Sequence, residues 1–255
     1  MKKIMLIISA FCLLMISCNN IGTNNAADNQ KTVGYKTYIY KDSLFIHLGD
    51  SIALSMEDDY AHYYVEMDVP QTDNIVLRQG ILQWMLDAAS EDYAAQIKAN
   101  RDEFFTLEGG GGVPEAKFEE HVKLVEQNAK YVTYVRYGEL NSAITHVNPW
   151  RVGTTFDKAD GSIIGYDMFV QPEQLSGIIE KTLLSDDDYA DEWGGLEHIP
   201  DFRMPSTAPW IEKDCIVFCY GSYEIGSFSY GEVECKVPVA ALKPYLNEKG
   251  KALFE

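Results

Sequence analysis

Residues 131–137 read YVTYVRY, and residues 151–157 read RVGTTFD. In the first stretch Tyr131, Thr133, Val135 and Tyr137 alternate with Val132, Tyr134 and Arg136, a period of two in β-branched and aromatic side chains that predicts a strand. The second is read the same way, and Asp160-Gly161 supplies a hairpin turn into a further strand at 162–166. Toward the N-terminus, runs rich in Tyr, Val and Ile predict strands at 35–40, 43–48 and 60–69, the last stopped by Pro70. Asn74 is placed to cap a helix whose apolar positions, Leu77, Ile81, Trp84, Met85 and Ala88, step by three and four. A charged helix is expected near 92–105 and is broken by Gly109 to Gly112. Pro114 is expected to open a third helix with Phe118, Val122, Val125 and Ala129 on one face. Toward the C-terminus, Pro172 starts a helix using Leu175, Ile178, Ile179 and Leu183. Two last strands, 215–220 and 232–237, flank a Gly/Ser/Tyr loop. Strands and helices are segregated more than alternated, so the expected class is α+β, a mainly antiparallel sheet with helices packed against it.

The chain of 255 residues, 46% of them hydrophobic, is long enough to bury its own core. Its 39 acidic residues outnumber 21 basic ones, for a net charge of −18. Such a field repels nucleic acid and anionic lipid, and neither is expected as a partner. The first residues define a destination. Lys2 and Lys3 precede an apolar run from Ile4 to Ile16, too short for a comfortable membrane span and of the form of a secretory signal. Its end, Leu14-Met15-Ile16-Ser17-Cys18, resembles a bacterial lipobox, which implies cleavage before Cys18 and acylation of that cysteine, for example with palmitate. Cleavage removes two lysines and no acid, deepening the negative charge. Asn19 follows where Asp would retain a lipoprotein at the inner membrane, so the outer membrane is expected, on its periplasmic or surface side. Residues 18–34 are Asn-rich with little apolar content and read as the lipidated Cys with a flexible tether. About fourteen such residues give a coil of roughly 20 Å. The expected organisation is a signal at 1–17, the anchor and tether at 18–34, an N-terminal α+β module at 35–135 and a C-terminal module at 136–255, the two modules forming one compact unit.

Nucleophile and phosphate-loop motifs are missing: there is no Gly-x-Ser-x-Gly, and Gly109 to Gly112 lack the following Lys-Ser/Thr. The five histidines, His47, His62, His121, His146 and His198, show no metal-pair spacing, and the acidic run at Asp186, Asp187, Asp188 misses the EF-hand pattern. No metal and no cofactor are therefore expected, and the acidic run reads as a solvated loop. These absences move the reading toward a binding module rather than an enzyme. Cys215, Cys219 and Cys235 remain in the exported part. If Val217 pairs with Val233, then Cys215 stands opposite Cys235, and an oxidising compartment permits a disulfide between them. Directly opposed strand positions suit disulfide geometry poorly, and three buried thiols are the alternative.

Two stretches resemble a known family. Residues 152–169, VGTTFDKADGSIIGYDMF, match its pattern of a strand ending Phe-Asp, a glycine turn and a following Asp-x-Phe. Residues 217–246, VFCYGSYEIGSFSYGEVECKVPVAALKPYL, are similar to its closing Tyr-x-x-Tyr-Glu-Ile pattern and terminal Pro-x-x-x-Leu. Upstream, Tyr63 to Pro70 and the helix that follows resemble the companion N-terminal module. This is the RsiV-like family, found in the extracellular part of a lysozyme-sensing anti-sigma factor and beside polysaccharide deacetylase domains. The family's Gly-Gly-Ala-His is represented only by His146 after Ser142-Ala143-Ile144-Thr145. The resemblance implies a sensing fold, without the signalling output or catalysis of those relatives. The expected function is a lipid-anchored, non-catalytic envelope protein recognising a lysozyme-like protein or a cell-wall glycan. An envelope enzyme or accessory acting on peptidoglycan or polysaccharide, with His146 and Asp157 as the acid–base pair, is the alternative. Tyr220, Tyr223, Phe228 and Tyr230, set among Gly and Ser, suit ligand contact, because aromatic rings give large contact area at low entropic cost. With His146 they are the candidate binding residues.

Overall fold

A computed structural model describes residues 32–45, 60–110, 116–141, 147–226 and 231–255. Two sheets and six α-helices make up the described chain, and the class is α+β. The large sheet holds six strands in chain order: β1 (Gly34–Phe45), β2 (Tyr60–Gln71), β3 (Lys117–Gln127), β4 (Tyr131–Asn141), β5 (Asn148–Asp157) and the short β6 (Ile163–Ile164). Every neighbour is antiparallel except β2 and β3, which run parallel because α1 (Ile75–Leu86) and α2 (Tyr93–Gly110) form the crossover between them. Asn74 caps α1 as expected, its side-chain oxygen accepting from the Leu77 amide at 3.2 Å. Leu77, Ile81 and Met85 press onto Val65, Met67, Val132 and Phe156 of the sheet.

Two expectations near the N-terminus are corrected. The strand break expected at 41–42 is absent: β1 runs through it, pairing Lys41 with Tyr64 and Asp42 with Tyr63. The third helix expected after Pro114 is instead β3. Phe118 and Val122 stand four positions apart, which satisfies both a helix face and alternate strand positions, and the intervening Glu120 lies on the same buried side. Val125, three residues after Val122, suits the helix face, but on the strand it is an odd position and falls on the other side. It packs in the opposite core, beside Val135 and Trp210, and the bulge between Leu124 and Glu126 turns Glu126 to that side as well, where it accepts from the Tyr131 hydroxyl at 2.7 Å.

The second sheet is β7 (Trp210–Glu212), β8 (Cys215–Tyr220) and β9 (Val233–Pro238), all antiparallel. It lies on the sheet face opposite α1 and α2. The seam is tight at Gly153, where an added Cβ would sit 2.3 Å from the Trp210 ring, and Thr155 Oγ1 accepts from the Ile211 amide at 2.9 Å. The outer side of the small sheet is covered by α3 (Ser176–Leu184), α4 (Ala190–Trp193), α5 (Val239–Leu242) and α6 (Glu248–Leu253), burying Ile179, Leu183, Phe218, Cys235 and Leu246. β4 crosses the expected boundary between residues 135 and 136, so both halves share one sheet.

Candidate functional site

The large sheet places different chemistry on its two sides. Even positions of β3 and β4 face α1 and α2; odd positions carry Lys117, Glu119, His121 and Lys123 on β3, and Tyr137 and Glu139 on β4. Arg151 of β5 lies opposite Tyr137 and joins them. The small sheet covers only part of this side. Beyond its edge lies a cleft of about 810 Å³, walled by these side chains other than Lys123, by Glu232 and the outer end of β9, and by the turn that carries Asp186, Asp188 and Tyr189.

Each permanent cation in the cleft wall is already paired. Lys117 Nζ sits 2.7 Å from Glu119 and 2.7 Å from Glu139, which raises its pKa and lowers that of Glu119. The Arg151 guanidinium bridges Glu212, at 2.6 Å, and Glu234, and lies 5.7 Å over the Trp210 ring. Lys236 Nζ is 3.1 Å from the other oxygen of Glu234. His121 is held between Glu66, 3.2 Å from Nδ1, and Glu119, 2.8 Å from Nε2, with its ring stacked on Tyr137 at 5.0 Å. Beside it, burial and the Glu66 carboxylate push the Tyr64 hydroxyl up to about 12. Three carboxylates of the wall, Asp186, Asp188 and Glu232, make no ion pair among the described residues. Glu232 accepts a hydrogen bond from the Arg151 amide, yet burial holds its pKa above the usual carboxylate range, reinforced by the Glu234 charge.

The residues expected from sequence fall elsewhere. Cys18, His146, Phe228 and Tyr230 lie outside the described residues. Tyr220 is fully buried against Phe202, and its hydroxyl makes no hydrogen bond among the described residues. It is a core residue. Tyr223 is 71% exposed at a left-handed backbone position, φ 67°. Asp157 closes the turn before β6, its carboxylate accepting from the Ala159 amide at 2.8 Å. The expected pairing of Cys215 with Cys235 is corrected by the register: Val217 pairs with Lys236, Cys215 faces Pro238, and Cys235 faces Phe218. This odd shift exchanges the faces of β9, so the two thiols point to opposite sides, and all three cysteines are free. Burial pushes the Cys235 thiol up to about 12 and the Cys219 thiol up as well. The same register places Glu232 and Glu234 toward the large sheet and the cleft. Among the described residues no group of three His, Cys, Asp or Glu side chains is arranged to hold a metal, and no helix is long and apolar enough to cross a membrane.

The cleft residues Glu119, His121, Tyr137, Arg151 and Glu232 were not singled out by motif. For Glu119 and His121 the signal is alternation in KFEEHVK, residues 117–123, which reads as a charged face only once 117–127 is a strand; Tyr137, Arg151 and Glu232 carry no such local signal.

No protein-family model and no curated protein sequence matches the chain. Its fold is shared with crystal structures of two members of the DUF3298 family, a domain family of unknown function. The protein from Bacteroides fragilis has a TM-score of 0.65 at 13% identity, over 86% of this chain and 96% of that one. The protein from Pseudomonas aeruginosa has a TM-score of 0.56 at 16% identity, over 86% and 96%. At these identities the likeness is one of fold.

Proposed function

We propose that this chain is a non-catalytic binding protein of the bacterial cell envelope, held to the outer membrane by lipid on Cys18, and that its cleft receives a positively charged protein of the lysozyme type. The observation that carries the reading is the charge balance of the cleft: its cations are neutralised within the wall while Asp186, Asp188 and Glu232 are left over. The net charge of −18 steers a basic protein toward that surface over longer range. The resemblance to a lysozyme-sensing family supports the same class of ligand.

Calorimetric titration with egg-white lysozyme at rising salt tests the reading. Binding is expected at low ionic strength, weakening steadily as salt screens the two charge patterns, with no cleavage of purified cell wall by the protein itself. No binding at low salt, or release of soluble wall fragments, overturns it. The anchor is tested separately. Cys18→Ala is expected to abolish lipid labelling and to remove the mature protein from the outer-membrane fraction; unchanged fractionation with undiminished label counts against the anchor.

A further inference from the structure

We infer that the cleft is an arginine-binding site, in which the guanidinium of a side chain presented by the basic partner is taken up between Glu232, the residue before β9, and the Asp186–Asp188 turn. The inference rests on the reading of a basic protein ligand and specifies which group of that ligand enters. At about 810 Å³ the cleft has the size of a small-ligand pocket and admits one long side chain with its flanking backbone.

Two observations favour a guanidinium over an ammonium. First, the wall already holds one guanidinium in the way a second would be held: Arg151 is clamped between carboxylates from two strands, Glu212 and Glu234, with an indole beneath it. Second, the cleft carries aromatic side chains, Tyr137 and Tyr189, beside its surplus carboxylates. A planar, weakly hydrated guanidinium stacks on such rings while its N–H groups reach carboxylates; a compact, strongly hydrated ammonium gains less from the same surroundings. Burial of Glu232 beside the Glu234 charge is unfavourable in the empty cleft, and an incoming cation relieves it.

The test uses the full-length protein with four probes: tetra-arginine amide, tetra-lysine amide, uncharged tetra-citrulline amide and egg-white lysozyme, each titrated calorimetrically at low salt. Wild type is compared with Glu232→Gln/Asp188→Asn. A control, Asp73→Asn/Glu91→Gln, removes the same charge from exposed positions outside the cleft. Tetra-arginine is expected to bind more tightly than tetra-lysine, and tetra-citrulline not to bind. The cleft variant is expected to lose tenfold or more in affinity for tetra-arginine and for lysozyme, and the control less than twofold. Equal losses in both variants mean diffuse attraction and overturn the site, as does tetra-lysine binding as tightly as tetra-arginine. Lysozyme binding that survives undiminished in the cleft variant overturns the arginine site and leaves the basic-protein reading standing. Tetra-arginine binding lost in the cleft variant, with no lysozyme binding by wild type, keeps the site and removes lysozyme as its source of arginine.

Discussion

Trp210→Ala is expected to lower the stability of the protein by about 3–5 kcal/mol, as truncation of a large buried aromatic does. Trp210 is fully buried and is the main plug between the two sheets, sharing a small core with Val135, Val217 and Cys219. The large sheet is shaped to receive it: Gly153 has no side chain because the indole lies where a Cβ would be, 2.3 Å away. Gly153→Ala is therefore expected to be destabilising as well, by about 1–3 kcal/mol through overpacking. The two effects are coupled through one contact. In the Trp210→Ala background the new methyl enters the space the indole left, so the penalty of Gly153→Ala is expected to shrink toward zero. Denaturant unfolding of the four proteins in this cycle measures the coupling. Fully additive penalties would mean that the seam closes elsewhere. Trp210 also supports the cleft from below, because Arg151 lies over its ring and its Nε1 donates to Glu212 at 3.2 Å. Its loss is expected to loosen the Arg151 clamp and weaken ligand binding beyond the loss of stability.

The parts of this architecture that were legible in sequence were those where one period dominates. β4 and β5, the Asn74 cap and the buried positions of α1 and α3 each combine a clear apolar period with a local stop or start. β3 was illegible because Phe118 and Val122 suit either period and the bulge after Leu124 breaks the alternation that would have decided between them. The cleft was hidden for two further reasons. Its residues come from β3, β4, β5, β9 and the 186–189 turn, segments that only the sheet order brings together. The orientation of β9 depended on a register that alternation alone leaves open, since Val233, Cys235 and Val237 share a face whichever residues oppose them. Tyr220 attracted a binding role by composition, whereas its position on β8 places it in the core between the small sheet and its covering helices.

On the other side of the large sheet, Arg136→Ala is expected to cost about 3–5 kcal/mol, because it strands a buried carboxylate. Arg136 reaches under α1 from β4. Its guanidinium donates to Glu120 at 2.8 Å, to the Trp84 carbonyl at 3.1 Å and to Asp87, the residue that ends α1, at 2.8 Å. The guanidinium also lies 5.8 Å over the Trp84 ring. Glu120 is 7% exposed, and burial holds its pKa above the usual glutamate value even though Arg136 pulls it down. A carboxyl whose folded pKa is raised binds its proton more tightly in the folded state. Its contribution to stability is therefore complete below the unfolded value of about 4.3 and is lost as pH rises through the raised folded value. Removing Arg136 takes away the main lowering influence and moves that loss to higher pH. The deficit of Arg136→Ala is thus expected to be largest at neutral pH and to shrink on acidification, as Glu120 takes up its proton. The pair itself adds little net stability, since two desolvated charges largely offset their attraction. Glu120→Met/Arg136→Met is accordingly expected to recover most of what the single variant loses at neutral pH, leaving only the cost of the contacts to Asp87 and Trp84. Thermal melts of wild type, the single variant and the double variant between acid and neutral pH decide the matter. A deficit in Arg136→Ala that does not change with pH, or a double variant no more stable than the single one, would show that Arg136 acts by bracing the end of α1 rather than by neutralising Glu120.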